Sequence, residues 1–167
     1  MQLTDLMTQE DWVEFEKAIH DATGMNAAVF DAAGVRVTSY VAWANGVCPL
    51  IKGDAGSAQA ICAVAHQEIA RQAQQTGQPA VAECDGGMLK ICVPIIINGT
   101  FLGVAGGCGM LSDEGQLETF HVARATGRTE AEIAALAGGI PRAANDEIKT
   151  AVAFIVERLA QALTAAG

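Results

Sequence analysis

The sequence has little positive charge and few charged residues of any kind. Ten lysines and arginines stand against nineteen acidic residues, which leaves a formal net charge of -9. A surface of this sign is poorly suited to phosphates or anionic lipid, so we expect no nucleic-acid partner. Only 17% of the residues are charged and 51% are hydrophobic, which excludes the composition of disordered chains. We expect one compact domain over residues 1–167.

Long apolar runs are also missing. The segment from Cys92 to Ile97 is among the longest, and it is far shorter than the roughly 20 residues of a membrane-spanning helix. The opening residues, MQLTDLMTQEDW, have no basic region followed by an apolar core and so do not resemble a secretory signal. We therefore expect a cytoplasmic protein with no membrane partner.

The cysteines have neither the even number nor the dense spacing of a secreted disulfide scaffold. None of the five belongs to a Cys-x-x-Cys pair. In a reducing cytosol they are expected to be free thiols or metal ligands. They are Cys48, Cys62, Cys84, Cys92 and Cys108.

Helical patterns stand at both ends of the chain and in its middle. Thr8 is expected to cap a first amphipathic helix that stops at Gly24. Ser57 would cap a second helix that runs to about Gln75. Asn145 would cap a closing helix whose apolar residues recur at steps of three or four.

Five segments have the composition of β-strands, and turn sequences join them into hairpins. Helices at both ends and one long helix between hairpins predict an α+β domain with a mostly antiparallel sheet, of PAS-like or GAF-like architecture. The expected strands are Met25 to Phe30, Val35 to Tyr40, Ala80 to Glu83, Leu89 to Ile97 and Thr100 to Cys108.

The last hairpin permits a prediction of register. Asn98-Gly99 between two apolar runs is a strong signal for a two-residue turn. Without an interruption, this turn pairs Cys92 with Ala105. Because side chains alternate along a strand, Cys92 and Cys108 would then lie on opposite faces of the sheet. One inserted residue in the glycine-rich strand would reverse this result.

Distinctive motifs follow one another along nearly the whole chain. They are CPLIK at 48–52, Cys62, TGQPAVAECDGGM at 76–88, VPIIINGTFLG at 93–103 and ALAGGIPRAANDEIKTAVAFIVERLAQAL at 135–163. In this order they resemble the PocR sensory-domain family. The resemblance implies a variant PAS-like pocket that senses small organic molecules, such as diols or other simple hydrocarbon derivatives, and signals to attached domains.

The resemblance contributes three cysteines to the predicted ligand-binding residues. The three typical cysteines of the family match Cys48, Cys62 and Cys84. The chain departs from the family where it has Cys84-Asp85-Gly86-Gly87 in place of Cys-His-Ala-Gly, and Gly107-Cys108-Gly109 where a Gly-Gln pair is common. We predict a diol, a short acid or another simple hydrocarbon derivative as ligand. The predicted contacts are Cys48, Cys62, Cys84, Asp85, Trp43, Cys92 and Gly107.

The small residues at 103 and 105–107 leave two interpretations open. They leave room over the sheet, as a pocket requires, but glycine in a strand equally permits close helix packing. Trp43 and Asp85 have similar alternatives, since a tryptophan anchors cores and an aspartate stabilises turns.

A metal site is the alternative to an organic ligand. Cys62 and His66 lie one turn apart on the predicted helix, and with Cys48 and Cys84 they could hold zinc. A four-thiolate set that includes Cys108 could hold an iron-sulfur cluster. The third possibility is that the free cysteines simply pack as small hydrophobic residues.

Catalysis has weaker support than sensing. Only Cys48 or Cys84 with His66 offers a nucleophile and a base, and no oxyanion-binding or phosphate-binding motif accompanies them. We therefore predict a protein that is not an enzyme. The sequence shows no helix-turn-helix, kinase or cyclase segment, so we expect a signalling output protein or domain as partner. The apolar stripes of the first and last helices suggest a homodimer.

Overall fold

The computed structural model describes residues 1–166 and shows eight α-helices around one sheet within that range. The helices are α1 (Leu3–Leu6), α2 (Gln9–Thr23), α3 (Cys48–Lys52), α4 (Ala55–Ser57), α5 (Val64–Thr76), α6 (Thr119–Thr126), α7 (Glu130–Ala137) and α8 (Asn145–Ala166). A π-helical segment, Ala58–Ala63, joins α4 to α5. The strands are β1 (Asn26–Asp31), β2 (Ala80–Glu83), β3 (Leu89–Ile97), β4 (Thr100–Ser112) and β5 (Arg142–Ala143). No helix in this range is long and apolar enough to cross a membrane.

The sheet has the order β1-β4-β3-β2, and all these neighbours are antiparallel. The short β5 pairs in parallel with the end of β4. An α+β fold with a five-stranded, mostly antiparallel open sheet and flanking helices confirms the predicted fold class.

One of the five predicted strands is wrong. The segment from Val35 to Tyr40 makes a single bridge to β1 and then leaves the sheet. The reason is that helix α2 binds polar groups of this segment that a strand would use or leave exposed. The side chain of Gln9 donates to the carbonyl of Val37, and the hydroxyl of Thr38 donates to the side chain of Glu16. The fifth strand is β5 instead.

The predicted ends of the first helix are correct, whereas the predicted start of the middle helix is not. Thr8 accepts a hydrogen bond from the backbone of Asp11, and Gly24 closes α2 in the left-handed conformation with φ 72°. Ser57 does not act as a cap. Its backbone N–H donates to the side chain of Asp54, which takes the capping position because it stands three residues earlier.

The two faces of the sheet carry separate layers. Helices α2 and α8 cover one face with the largest apolar cluster, which includes Trp12, Phe15 and Ile155. Helix α5 covers the other face through a smaller cluster that includes Ile69. A third cluster joins α3, the π-helical segment and α6. The second face, with its smaller apolar cluster, leaves room for cavities.

A β-bulge follows the predicted turn between β3 and β4. Ile96 pairs with Phe101, but Ile95 pairs with Gly103, so β4 holds one extra residue between the two pairs. Gly103 has φ 154°, and a Cβ there would lie 2.0 Å from the carbonyl oxygen of Phe30. Only glycine fits so close to the backbone of β1.

The bulge shifts the register of β4 by one residue. Cys92 pairs with Gly106, and Lys90 pairs with Cys108. Directly paired residues point to the same face of a sheet, and so do residues two positions apart on one strand, such as Lys90 and Cys92. Cys92 and Cys108 therefore lie on the same face. The prediction that they lie on opposite faces is therefore wrong, and the inserted residue is the reason.

Candidate functional site

Two adjoining cavities lie between the sheet and the segment from α3 to α5. They have volumes of about 50 and 40 Å³ and share the lining residues Asn26, Lys52, Lys90 and Cys108. We call the two together the sheet cavity. Larger hollows exist, such as one of about 620 Å³ beside α1 and α2, but they are open surface grooves. The sheet cavity is more enclosed than such a groove, and its lining includes cysteine, lysine and histidine side chains.

The α5 side of the sheet cavity has an aromatic wall. The rings of Phe30 and His66 lie 4.0 Å apart at an angle of 38°. The ammonium of Lys90 lies 5.2 Å from the centre of the Phe30 ring, within the range of a cation–π contact. The shifted register of β4 places Cys108 directly beside Lys90.

His66 is a buried imidazole on this wall. The residue is only 6% exposed, and the Nδ1 atom of its ring is buried without a hydrogen-bond partner. Burial, followed by the positive charges of Lys90 and Lys52, lowers the pKa of His66 to about 3. The imidazole is therefore neutral at physiological pH.

Four of the thiols around the cavity, those of Cys48, Cys62, Cys84 and Cys92, are protonated at neutral pH. Burial raises the pKa of Cys48 to about 12 and raises the pKa of Cys62, Cys84 and Cys92 above its ordinary value. The side-chain amide of Asn45 donates to the sulfur of Cys48 at 3.3 Å. Protonated, buried thiols are poor nucleophiles, which disfavours a thiol-dependent reaction here.

Lys90 has a charge environment without a carboxylate. Burial acts to lower the pKa of its ammonium, whereas the ionised forms of Cys108, Cys92, Cys62 and Cys84 would raise it, and the balance is a raised pKa. Because burial also keeps the thiols of Cys62, Cys84 and Cys92 protonated, the ammonium of Lys90 needs another anion beside it to offset its own burial. Among the described residues, neither Lys90 nor Lys52 forms an ion pair.

Arg36 connects the sheet cavity to helix α2. Arg36 lines the cavity, and its Nη2 lies 3.6 Å from Oε1 of Glu16 on α2. Glu16 is fully buried, accepts a 2.8 Å hydrogen bond from the backbone N–H of Val29, and accepts another from the hydroxyl of Thr38. Burial raises the pKa of Glu16, against the opposing effect of these hydrogen bonds and of Arg36.

Most of the predicted ligand-binding residues line the sheet cavity. Cys48, Cys62 and Cys84 lie on its smaller part, and Cys92 and Gly107 on its larger part. Gly107 contributes only backbone, because a Cβ there would point to the opposite face and meet Met25 at 2.9 Å.

Two predicted residues do not line the sheet cavity. Asp85 is exposed in the loop before β3, and Trp43 is 42% exposed beyond the cavity wall. The neighbouring residues Val41 and Ala42 line the cavity in place of Trp43.

The predicted metal site is not supported. Across residues 1–166, no three His, Cys, Asp or Glu side chains are arranged to hold a metal ion. Cys48, Cys62, Cys84 and Cys108 share one part of the cavity, but His66 lies on the other part. The ammonium of Lys90 lines both parts, and its positive charge opposes a metal cation there. These residues do not fit zinc or an iron-sulfur cluster.

Sequence reasoning missed the cations of this site. Lys90 is the single charged residue of the apolar strand β3, and it stands two positions from Cys92 on the same face. That position is a signal for a functional cation, because lysine is rarely placed in an apolar strand without a reason. Lys52, Arg36 and Asn26 carry no comparable signal, since only the fold brings them to the cavity.

The arrangement defines an α+β domain with a small, cation-lined cavity on one face of its sheet. A family model described as the sensory domain found in PocR matches residues 5–167. The chain therefore belongs to the PocR sensory-domain family. No curated protein and no solved structure gives a significant match to it.

Proposed function

We propose that this chain is a cytoplasmic sensor domain without catalytic activity, which binds a small organic ligand in the sheet cavity. The observation that carries the proposal is the position of Arg36, which lines the cavity and reaches the buried Glu16 of α2. Membership of a sensory family supports the same role. A ligand that changes the contact between Arg36 and Glu16 acts on a helix of the opposite layer.

The size of the cavity limits the ligand to a small molecule. A cavity needs roughly 10–15 Å³ of solvent-accessible volume to hold one water molecule. Parts of about 50 and 40 Å³ therefore suit a molecule with a handful of non-hydrogen atoms, such as a diol or a short acid. Apolar walls with a few polar groups are typical of sites for such ligands.

The signal would leave through α2 and α8, which pack on each other and on the same face of the sheet. A ligand shifts a conformational equilibrium only by its difference in affinity for the two states. An output protein or domain would detect the altered helix pair. The apolar stripe of α8 mainly covers the sheet, since Ile155 and Leu159 are buried there, and Val156, 41% exposed, remains available to a homodimer partner.

The test is a titration of purified protein with short alcohols, diols and carboxylates, followed by calorimetry and thermal shift. Ala28→Met fills the cavity from β1, and Val81→Met adds similar bulk at an exposed position of β2 as the control. We expect binding to wild type and to Val81→Met, and a loss of affinity of at least about tenfold in Ala28→Met. Absence of heat and thermal shift with every compound would contradict the proposal, as would unchanged binding by Ala28→Met.

A further inference from the structure

We propose that the ligand of the sheet cavity is a small carboxylate anion, held between Lys90 and Lys52. The inference rests on the proposed sensor function and specifies the chemical class of its ligand.

The charges of the cavity lining are all of one sign. Lys52, Lys90 and Arg36 are its charged residues, and no aspartate or glutamate lines either part. This positive lining belongs to a chain with a net charge of -9. Because acidic residues are nearly twice as common as basic ones in the chain, their absence from the cavity distinguishes this site from the rest of the protein.

Two of these three cations lack a counter-charge. Arg36 has Glu16 as a partner at 3.6 Å, but Lys90 and Lys52 form no ion pair with any described residue. The neighbouring thiols of Cys62 and Cys92 cannot neutralise them at neutral pH, because burial raises the pKa of both thiols. Lys90 is partly buried whereas Lys52 is exposed, so the cost of an unpaired charge falls on Lys90, and a bound anion removes that cost.

The remaining lining selects a carboxylate among small anions. Phe30, Val104 and Ile61 give the cavity apolar surface that inorganic phosphate cannot use. A short carboxylate has one negative charge for the ammonium groups and an apolar tail for these walls. His66 lines the larger part of the cavity as a neutral imidazole, whose ring N–H can donate to a carboxylate oxygen of the same molecule.

The positions of the two lysines suggest distinct roles. Lys52 is exposed at the end of α3 and lines both parts of the cavity, so it lies where an anion would enter. Lys90 is less exposed and projects from the middle of the sheet face, beside Phe30. Lys90 would therefore bind the carboxylate, and Lys52 would attract it.

The experiment compares compounds of matched size and different charge by calorimetry. Propionate and lactate are titrated beside 1-propanol, 1,2-propanediol, lactamide and inorganic phosphate. We expect the carboxylates to bind at least about tenfold more tightly than their neutral analogues, with an affinity that falls as salt is added.

Variants of the two lysines complete the test. Lys90→Met keeps the apolar stem and removes the charge, and Lys149→Met does the same at an exposed position of α8 as the control. We expect carboxylate affinity to fall at least about tenfold in Lys90→Met and to stay unchanged in Lys149→Met. Lys52→Met, at an exposed position, gives a second measurement if Lys90→Met does not fold, with a smaller loss and a weaker dependence on salt.

Three outcomes overturn the inference. If a neutral alcohol or diol binds as tightly as the carboxylates and Lys90→Met binds it normally, the ligand is not an anion, and the sensor proposal stands. If phosphate binds more tightly than any carboxylate, the assigned class is wrong. If no compound binds to wild type, the sensor proposal fails, and this inference fails with it.

Discussion

Arg36 and Glu16 link the sheet cavity to the opposite layer of the fold, with Nη2 of the arginine 3.6 Å from Oε1 of the glutamate. Glu16 is held in place by the backbone of Val29 and the hydroxyl of Thr38, and the same Nη2 of Arg36 also donates to the backbone carbonyl of Tyr40. An anion in the cavity would compete with Glu16 for the guanidinium. Such competition gives the ligand different affinities for two arrangements of Arg36, which is what a population shift requires.

Glu16→Gln is expected to uncouple α2 from the cavity. Glutamine keeps one oxygen to accept from the backbone N–H of Val29 and places its amide NH2 beside the Thr38 hydroxyl, which can accept from it, but it loses the charge attraction to Arg36. The measurement is the fluorescence of Trp12 on α2, in a Trp43→Phe background that removes the other tryptophan. We expect ligand affinity to rise, because the anion no longer competes with Glu16 for Arg36, while the ligand-induced fluorescence change disappears.

Glu14→Gln is the matched control for this prediction. Glu14 lies on the same helix but is exposed, and its partner is Lys17 rather than Arg36. Its substitution should leave both affinity and the Trp12 response as in wild type. A full Trp12 response in Glu16→Gln would show that the signal takes another route.

The glycines of β4 allow a direct test of the sheet geometry. A Cβ at Gly106 would lie 1.8 Å from the carbonyl oxygen of Ile91, which is backbone and cannot rotate away. Gly106→Ala should therefore lower the free energy of unfolding by about 3 kcal/mol or more in chemical denaturation. Gly138→Ala is the control, because a Cβ there meets nothing within 4 Å and its φ is -65°. Equal stability of the two variants would mean that the β3–β4 register differs from the one described.

The limits of the first helix could be predicted from the sequence because they depend on local signals. The Thr8 cap and the glycine stop at Gly24 need only neighbouring residues. The β4 bulge depends instead on contacts between strands, since Gly103 is fixed by the backbone of Phe30 more than seventy positions away. Counting the register from the Asn98-Gly99 turn therefore placed Cys108 on the wrong face.

The candidate site was predictable to the extent that its residues stand out in the chain. Cys48, Cys62 and Cys84 belong to recognisable motifs, and they line the cavity. Lys52 and Arg36 look like ordinary surface residues in the sequence, and their position follows from the path of the chain after α3 and β1. The metal hypothesis has no support in the structure, because across residues 1–166 no three candidate ligands are arranged to hold an ion.

The buried thiols are expected to react slowly with alkylating reagents. With a pKa of about 12, Cys48 is ionised in roughly one molecule in 10⁵ at pH 7, and only the thiolate attacks. Labelling with iodoacetamide, followed by mass spectrometry, should show Cys48 reacting at least about a hundredfold more slowly than in the denatured chain. A cysteine that reacts faster in the native protein than in the denatured one would revive the hypothesis of a thiol-dependent enzyme.

His66 should make the domain less stable in acid. Its pKa is lowered from 6.5 to about 3 on folding, because it is buried and faces the cations Lys90 and Lys52. Between these values the unfolded chain binds a proton that the folded chain does not, so stability is complete above pH 6.5 and decreases as the pH falls toward 3. The slope is at most about 1.4 kcal/mol per pH unit for one group.

His66→Phe keeps a ring against Phe30 and cannot titrate. The slope of its unfolding free energy against pH should therefore be smaller than that of wild type by up to this amount. His121→Gln, at an exposed position of α6, should retain the wild-type slope, and a His66→Phe variant that also retains it would place the titrating group elsewhere.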